Sequence, residues 1–163
     1  MAVKMEKKYI LTNRRSGKVL AANGSAAVQR TADGSDAQIW RAIPVEGVSV
    51  QLVQKSSGLA LTASGEVENG LELTLAEATG GAEQLWKLTT TTKGYRKLVH
   101  VASGKVMDIK QISDADNAPA QLWDFVKGEN QDWVADEIEK EKKAPAKRAV
   151  KEVKGCKTAK KAK

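Results

Sequence analysis

The sequence predicts an all-β domain of three repeats, closed into a barrel with threefold pseudo-symmetry and followed by a basic tail. Three observations carry that expectation. A Gln-x-Trp triplet recurs at Gln38-Ile39-Trp40, Gln84-Leu85-Trp86 and Gln131-Asp132-Trp133, with the tryptophans 46 and 47 residues apart. Upstream of each triplet stands a Ser-Gly pair: Ser16-Gly17, Ser57-Gly58 and Ser103-Gly104. Short alternating runs flank each pair, and strand, tight turn, strand is the pattern of a hairpin. Self-similarity at this period marks a repeat architecture.

The first repeat, residues 9–46, opens with Tyr9-Ile10-Leu11-Thr12, turns at Ser16-Gly17 and returns through Lys18-Val19-Leu20. The second, residues 47–93, does the same with Val50-Gln51-Leu52-Val53 and Leu59-Ala60-Leu61. The third, residues 94–135, uses Tyr95-Arg96-Lys97-Leu98-Val99 and Lys105-Val106-Met107. Each repeat has room for about four short strands, too few to bury an apolar face alone. Three such units closed into a barrel bury a common core and leave no sheet edge. Trp40, Trp86 and Trp133 then occupy equivalent core positions, and the glutamine before each can hydrogen-bond the backbone of its turn. Residues 1–8 form a short N-terminal extension. After Trp133 the composition shifts. Residues 134–143 (VADEIEKEKK) read as about three helical turns, with Asp136 and Glu137 early and Lys142 and Lys143 late to match the helix dipole. Residues 136–163 as a whole form a Lys/Ala-rich tail, disordered or partly helical, because lysine, alanine and valine without aromatics build no core.

The chain of 163 residues suits one domain, and its 41% hydrophobic content suits a packed core. No run approaches the roughly 18 apolar residues of a membrane span. The net charge of +7 is unevenly distributed. Through Ala135 there are 16 Lys/Arg and 15 Asp/Glu; from Asp136 onward there are 11 and 5. The basic character therefore belongs to the tail, a solvated extension with weak polyanion contact as the alternative. The start lacks the apolar run of a secretory signal, and the single cysteine, Cys156, permits no intrachain disulfide. The expected compartment is the cytoplasm, with export by another route left open. His100 is the only histidine, which argues against a metal cluster and against a Ser-His-Asp triad. No phosphate-binding glycine motif occurs. A non-enzymatic protein without a cofactor is expected.

Three Gln-x-Trp triplets in register with three Ser-Gly turns resemble the ricin-type β-trefoil lectin family over residues 8–135, about four fifths of the chain. The resemblance implies a sugar site built from an aspartate after the Ser-Gly-Lys hairpin, a stacking aromatic, and a closing Asn-Gln-x-Trp element. Only the third repeat matches. It reads Ser103-Gly104-Lys105-Val106-Met107-Asp108, then Gln121-Leu122-Trp123, then Asn130-Gln131-Asp132-Trp133. The aspartate position is Ala21 in the first repeat and Thr62 in the second; the closing asparagine is Ala37 and Glu83. The stacking position is Ala76 in the second repeat and at or near Thr31 in the first. Those two sites read as lost. Where many members of the family place a disulfide, the third repeat has Val106 and Phe125, an apolar substitute suited to a reducing compartment.

The residue types fit sugar chemistry. A carboxylate at Asp108 can accept hydrogen bonds from two neighbouring hydroxyls, strengthened by its charge. The indole of Trp123 offers a flat apolar platform to a sugar's C–H face. Asn130 both donates and accepts, Gln131 is suited to orienting Asp108, and Gln121 to reaching an outlying hydroxyl. By resemblance the ligand is galactose or N-acetylgalactosamine, whose axial hydroxyl lets two oxygens converge on one carboxylate. The residues alone leave other roles open: Trp123 as a fourth core tryptophan, Asp108 as a turn cap, and Asn130 and Gln131 as closers of the Gly128-Glu129 turn. A trefoil that has lost its sugar sites and binds protein is the rival function, and polyanion binding through the tail is another.

Overall fold

The computed structural model describes residues 7–138, and these form twelve strands and four short 3-10 turns. Six strands close a barrel: β1 (Lys7–Asn13), β4 (Trp40–Glu46), β5 (Ser49–Gln54), β8 (Trp86–Thr90), β9 (Arg96–His100) and β12 (Trp133–Ile138). Each pairs antiparallel with the next, and β12 returns to β1, which closes the ring. The other six form three hairpins that cap the barrel: β2 (Val19–Asn23) with β3 (Ala26–Arg30), β6 (Ala60–Thr62) with β7 (Thr74–Ala76), and β10 (Val106–Ile109) with β11 (Ala120–Trp123). The caps are bridged to one another at Ala26↔Thr74, Val28↔Pro119 and Glu72↔Gln121. Four strands per repeat, three repeats and a closed barrel make this a β-trefoil.

The Gln-x-Trp triplet owes its recurrence to two tasks. Trp40, Trp86 and Trp133 are fully buried. Their indole N–H groups donate to Leu20 O at 3.0 Å, Leu61 O at 3.1 Å and Met107 O at 3.3 Å, fixing each cap hairpin to the barrel below it. The preceding glutamine, in the 3-10 turns Asp36–Gln38, Ala82–Gln84 and Glu129–Gln131, ties down the adjoining loop. Its side-chain oxygen accepts from Asp33 N, Thr79 N or Val126 N, and its amide donates to Thr31 O, Glu77 O or Asp124 O. The buried amides of Gln38, Gln84 and Gln131 are thereby satisfied in all three repeats. At the Ser-Gly turns, Gly17, Gly58 and Gly104 take φ of 75°, 77° and 78°, a region closed to most side chains.

One expectation fails. Residues 134–138, read as the start of a helix, belong to β12 and pair with β1 from Asn13↔Trp133 to Lys8↔Ile138. Closing the barrel supplies those residues with cross-strand hydrogen bonds, and tertiary pairing overrides the weak helical preference of their charge pattern. The expected limits at residues 9 and 135 accordingly fall inside β1 and β12. The remainder of the proposed helix, the basic tail beyond Ile138 and Cys156 lie outside the described residues.

Candidate functional site

The third cap hairpin carries the candidate site. Antiparallel register sets Asp108 directly opposite Gln121 and Val106 opposite Trp123. Residues 106 and 108, and their partners 123 and 121, share one face of the hairpin because side chains alternate along a strand. The 3-10 turn Glu129–Gln131 approaches the same face. Gln121 Nε2 donates to Asp108 Oδ1 at 3.1 Å and Gln131 Nε2 to Asp108 Oδ2 at 3.0 Å. The carboxylate is held from both sides, and each oxygen keeps acceptor capacity beyond these two bonds. Burial pushes its carboxyl above its ordinary value, against the lowering effect of the Gln121, Gln131 and Asn130 amides.

A cavity of about 550 Å³ opens over this carboxylate. Asp108, Gln121, Trp123 and Asn130 line it, while Gln131 stands behind Asp108. Trp123 is 38% exposed, unlike the three fully buried tryptophans, so it is no fourth core residue. Asn130 Nδ2 donates to Ile109 O at 3.3 Å. Gln121 lines the cavity and is buried, and its amide also donates to Asp108, a contact the sequence did not suggest.

Sequence reasoning missed half of the wall. Lys110, Gln111 and Ile112 follow Asp108 directly, and Gly70 and Val126 complete the lining. Gln111 and Ile112 have φ of 59° and 52°, and a β-branched residue in the left-handed region is a strained outlier. Gly70 comes from the second repeat. Its N–H donates to Leu122 O at 2.8 Å, and a Cβ there would meet Trp123 Cζ3 at 3.9 Å. Beside it, Asn69 Oδ1 accepts from Asp124 N at 2.9 Å, and Lys110 Nζ pairs with Glu72 at 2.8 Å. The Asn69-Gly70 dipeptide is a turn signal legible in the sequence, but nothing in it shows that the turn braces another repeat's tryptophan.

The other two repeats carry different chemistry at the matching places. Ala21 and Thr62 replace the aspartate; Gln84 Nε2 donates to Thr62 Oγ1 at 3.2 Å, where Gln131 meets Asp108. The stacking position is Ala76 in the second repeat. In the first it is Arg30, paired with Val19 as Trp123 is paired with Val106, which moves it one residue from the expected Thr31. His100 takes no part: it is buried on β9 with Nδ1 2.9 Å from Ser103 Oγ, and burial holds its imidazole below its ordinary value.

Comparison with known proteins agrees with this architecture. The family described as ricin-type β-trefoil lectin domain-like matches residues 3–76 and 82–144. No curated protein sequence matches the chain. Among solved structures, the designed threefold-symmetric protein ThreeFoil is 30% identical with a TM-score of 0.77, over 80% of this chain and 99% of that one. The exo-β-1,3-galactanase 1,3Gal43A from Clostridium thermocellum is 34% identical with a TM-score of 0.76, over 81% of this chain. This chain spans only 30% of that enzyme. The Macrolepiota procera ricin B-like lectin in complex with lactose shares the fold at 19% identity, with a TM-score of 0.75 over 85% of this chain and 100% of that one.

Proposed function

The chain belongs to the ricin-type β-trefoil lectin domain-like family, and from that premise we propose that it is a non-enzymatic, carbohydrate-binding module with one sugar site, in the third repeat, for galactose or N-acetylgalactosamine. The observation that carries the reading is Asp108, a buried carboxylate held by two amides, at the base of a cavity beside a half-exposed Trp123. Two vicinal hydroxyls can donate to the carboxylate while the C–H face of the ring lies on the indole. The lactose in the Macrolepiota lectin and the galactan named for the Clostridium enzyme support a galactose-type ligand. Among the described residues Asp108 is the only carboxylate lining the cavity, whereas glycoside hydrolysis uses a pair.

A few hydrogen bonds, each worth about 0.5–1.5 kcal/mol net, and one stacking contact set a monosaccharide Kd on the order of a millimolar. Clustered glycans then supply avidity. The rival reading, a protein-binding face, draws on Ile112 and Val126, 53% and 66% exposed beside Trp123. A glycan array decides: wild type should bind galactose-terminated glycans, and Asp108→Ala and Trp123→Ala should not. Silence of the wild type across all glycans, or binding unchanged in both variants, overturns the sugar site and leaves the protein-binding face.

A further inference from the structure

A second opening, of about 350 Å³, lies on the other side of the loop that walls the sugar cavity. Trp123, Val126 and Asn130 face the first cavity; Phe125, Lys127 and Asp132 of the same segment face the second. Arg14, Lys97 and Thr90–Thr92 complete it. Three cations thus meet one carboxylate, and the charge of that carboxylate is matched by Arg14: Asp132 Oδ2 accepts from Arg14 Nη1 and Oδ1 from Thr91 Oγ1, both at 2.9 Å. Arg14 is also occupied, with its guanidinium 4.3 Å over the Tyr95 ring and 3.7 Å from Glu129. Lys97 lies 4.3 Å over the Phe125 ring. Among the described residues no carboxylate pairs with Lys97 or Lys127.

The threefold repeat supplies its own control. The loop anchors on Gln38, Gln84 and Gln131 align Lys127 with Gly34 and Gly80. Those glycines take φ of 76° and 78°, and Lys127 keeps the same left-handed backbone at 63°. The third repeat thus puts a long cation where the other two use glycine and where a side chain is disfavoured. By the same alignment Phe125 replaces Ala32 and Ala78, and Asp132 replaces Ile39 and Leu85. The strand register Thr12↔Val19, Val53↔Ala60 and Val99↔Val106 aligns Lys97 with Ile10 and Gln51. The cleft therefore departs from the repeat pattern in the same repeat that carries Asp108 and Trp123. Strain retained at such a position points to a binding role.

We infer that this cleft is a binding site for an acidic saccharide, in which Lys97 and Lys127 take a sulfate or uronate group and the exposed hydroxyls of Thr90 and Thr92 bond its neighbouring oxygens. The cleft is confined, and the chain through Ala135 carries 16 basic against 15 acidic residues, a near-neutral balance that favours a small acidic ligand over a nucleic-acid backbone. A shared wall with a cavity of sugar-binding chemistry favours a glycan. The inference goes beyond the sugar site at Asp108 and does not require it.

The test uses the full chain and three probes: a sulfated galactan oligosaccharide, the same oligosaccharide after desulfation, and a galacturonate oligomer. Lys97→Gln with Lys127→Gly restores residues the other repeats carry, so the double variant keeps its fold, which its melting temperature checks. Wild type should bind the sulfated or uronate probe at least tenfold more tightly than the desulfated one at physiological salt, with NMR shifts at Lys97, Lys127 and Thr92. The double variant should lose that preference and leave the affinity for the desulfated probe unchanged. Preference retained in the double variant, shifts confined to residues beyond 138, or equal competition by a single-stranded oligonucleotide overturns the inference. Asp108→Ala separates the two sites: it should abolish binding of the desulfated probe while the acidic probes still shift Lys97 and Lys127. If the desulfated probe fails even on wild type, the sugar site falls, and the Lys97 and Lys127 shifts still decide the cleft.

Discussion

Gln131 meets Asp108 at 3.0 Å through the same amide nitrogen that ties Asp124 O at 2.9 Å, while its oxygen accepts from Val126 N at 2.9 Å. One buried side chain thus couples the carboxylate's position to the loop that walls the cavity. Gln131→Leu leaves those backbone groups and one carboxylate oxygen without their partner. Unpaired buried groups cost about 1–3 kcal/mol, so urea denaturation should show a loss of that size, together with weaker sugar binding. Gln84→Leu should show a similar loss of stability with sugar binding unchanged.

The four tryptophans should separate cleanly by stability. Trp86 is fully buried and donates to Leu61 O, so Trp86→Ala should cost about 3–5 kcal/mol in the same denaturation measurement. Trp123 is 38% exposed at the end of β11, and Trp123→Ala should stay within about 0.5–1 kcal/mol of wild type.

Asp108 sets a pH dependence with opposite signs for stability and for binding. Burial raises its carboxyl above the ordinary value in the folded protein. The folded state then holds the proton more tightly than the unfolded chain, whose aspartate titrates near 3.9. Between the raised value and about 3.9, this group's contribution to stability grows as pH falls. Galactose affinity runs the other way, falling as pH drops through the raised value, because protonation removes an acceptor. Calorimetric titration of galactose from pH 7 to 4 checks the second sign. Denaturation of wild type against Asp108→Asn over the same range checks the first.

The second repeat retains part of a site. Gln84 already donates to Thr62 at 3.2 Å. Thr62→Asp with Ala76→Trp and Glu83→Asn supplies the carboxylate, the platform and the closing amide. Binding stoichiometry, measured with a multivalent galactoside, should rise from one to two sites per chain. A stoichiometry unchanged in a folded variant would show that these three residues do not suffice.

The fold was legible because its signals recur: one Ser-Gly turn or one Gln-x-Trp triplet is uninformative, and three in register are not. Asp108, Trp123 and Asn130 stood out through the resemblance to the lectin family, whose site pattern only the third repeat matches. What escaped is non-local. Gly70 braces Trp123 from another repeat, and Gln121 turns toward Asp108 because of a register no single strand reveals. The shift from Thr31 to Arg30 likewise needed the pairing with Val19. The charge pattern of residues 134–138 suited a helix, and only the need to pair with β1 made it a strand.

The central claim is that Asp108 and Trp123 hold a sugar. Galactose titration of the ¹⁵N-labelled full chain, followed by amide and indole NMR shifts, tests it most directly. The account predicts shifts clustered at Asp108, Trp123, Asn130 and residues 110–112, saturating at a Kd on the order of a millimolar and vanishing in Asp108→Ala. Shifts centred on Ala21 or Thr62, or an Asp108→Ala protein that still binds, would contradict it.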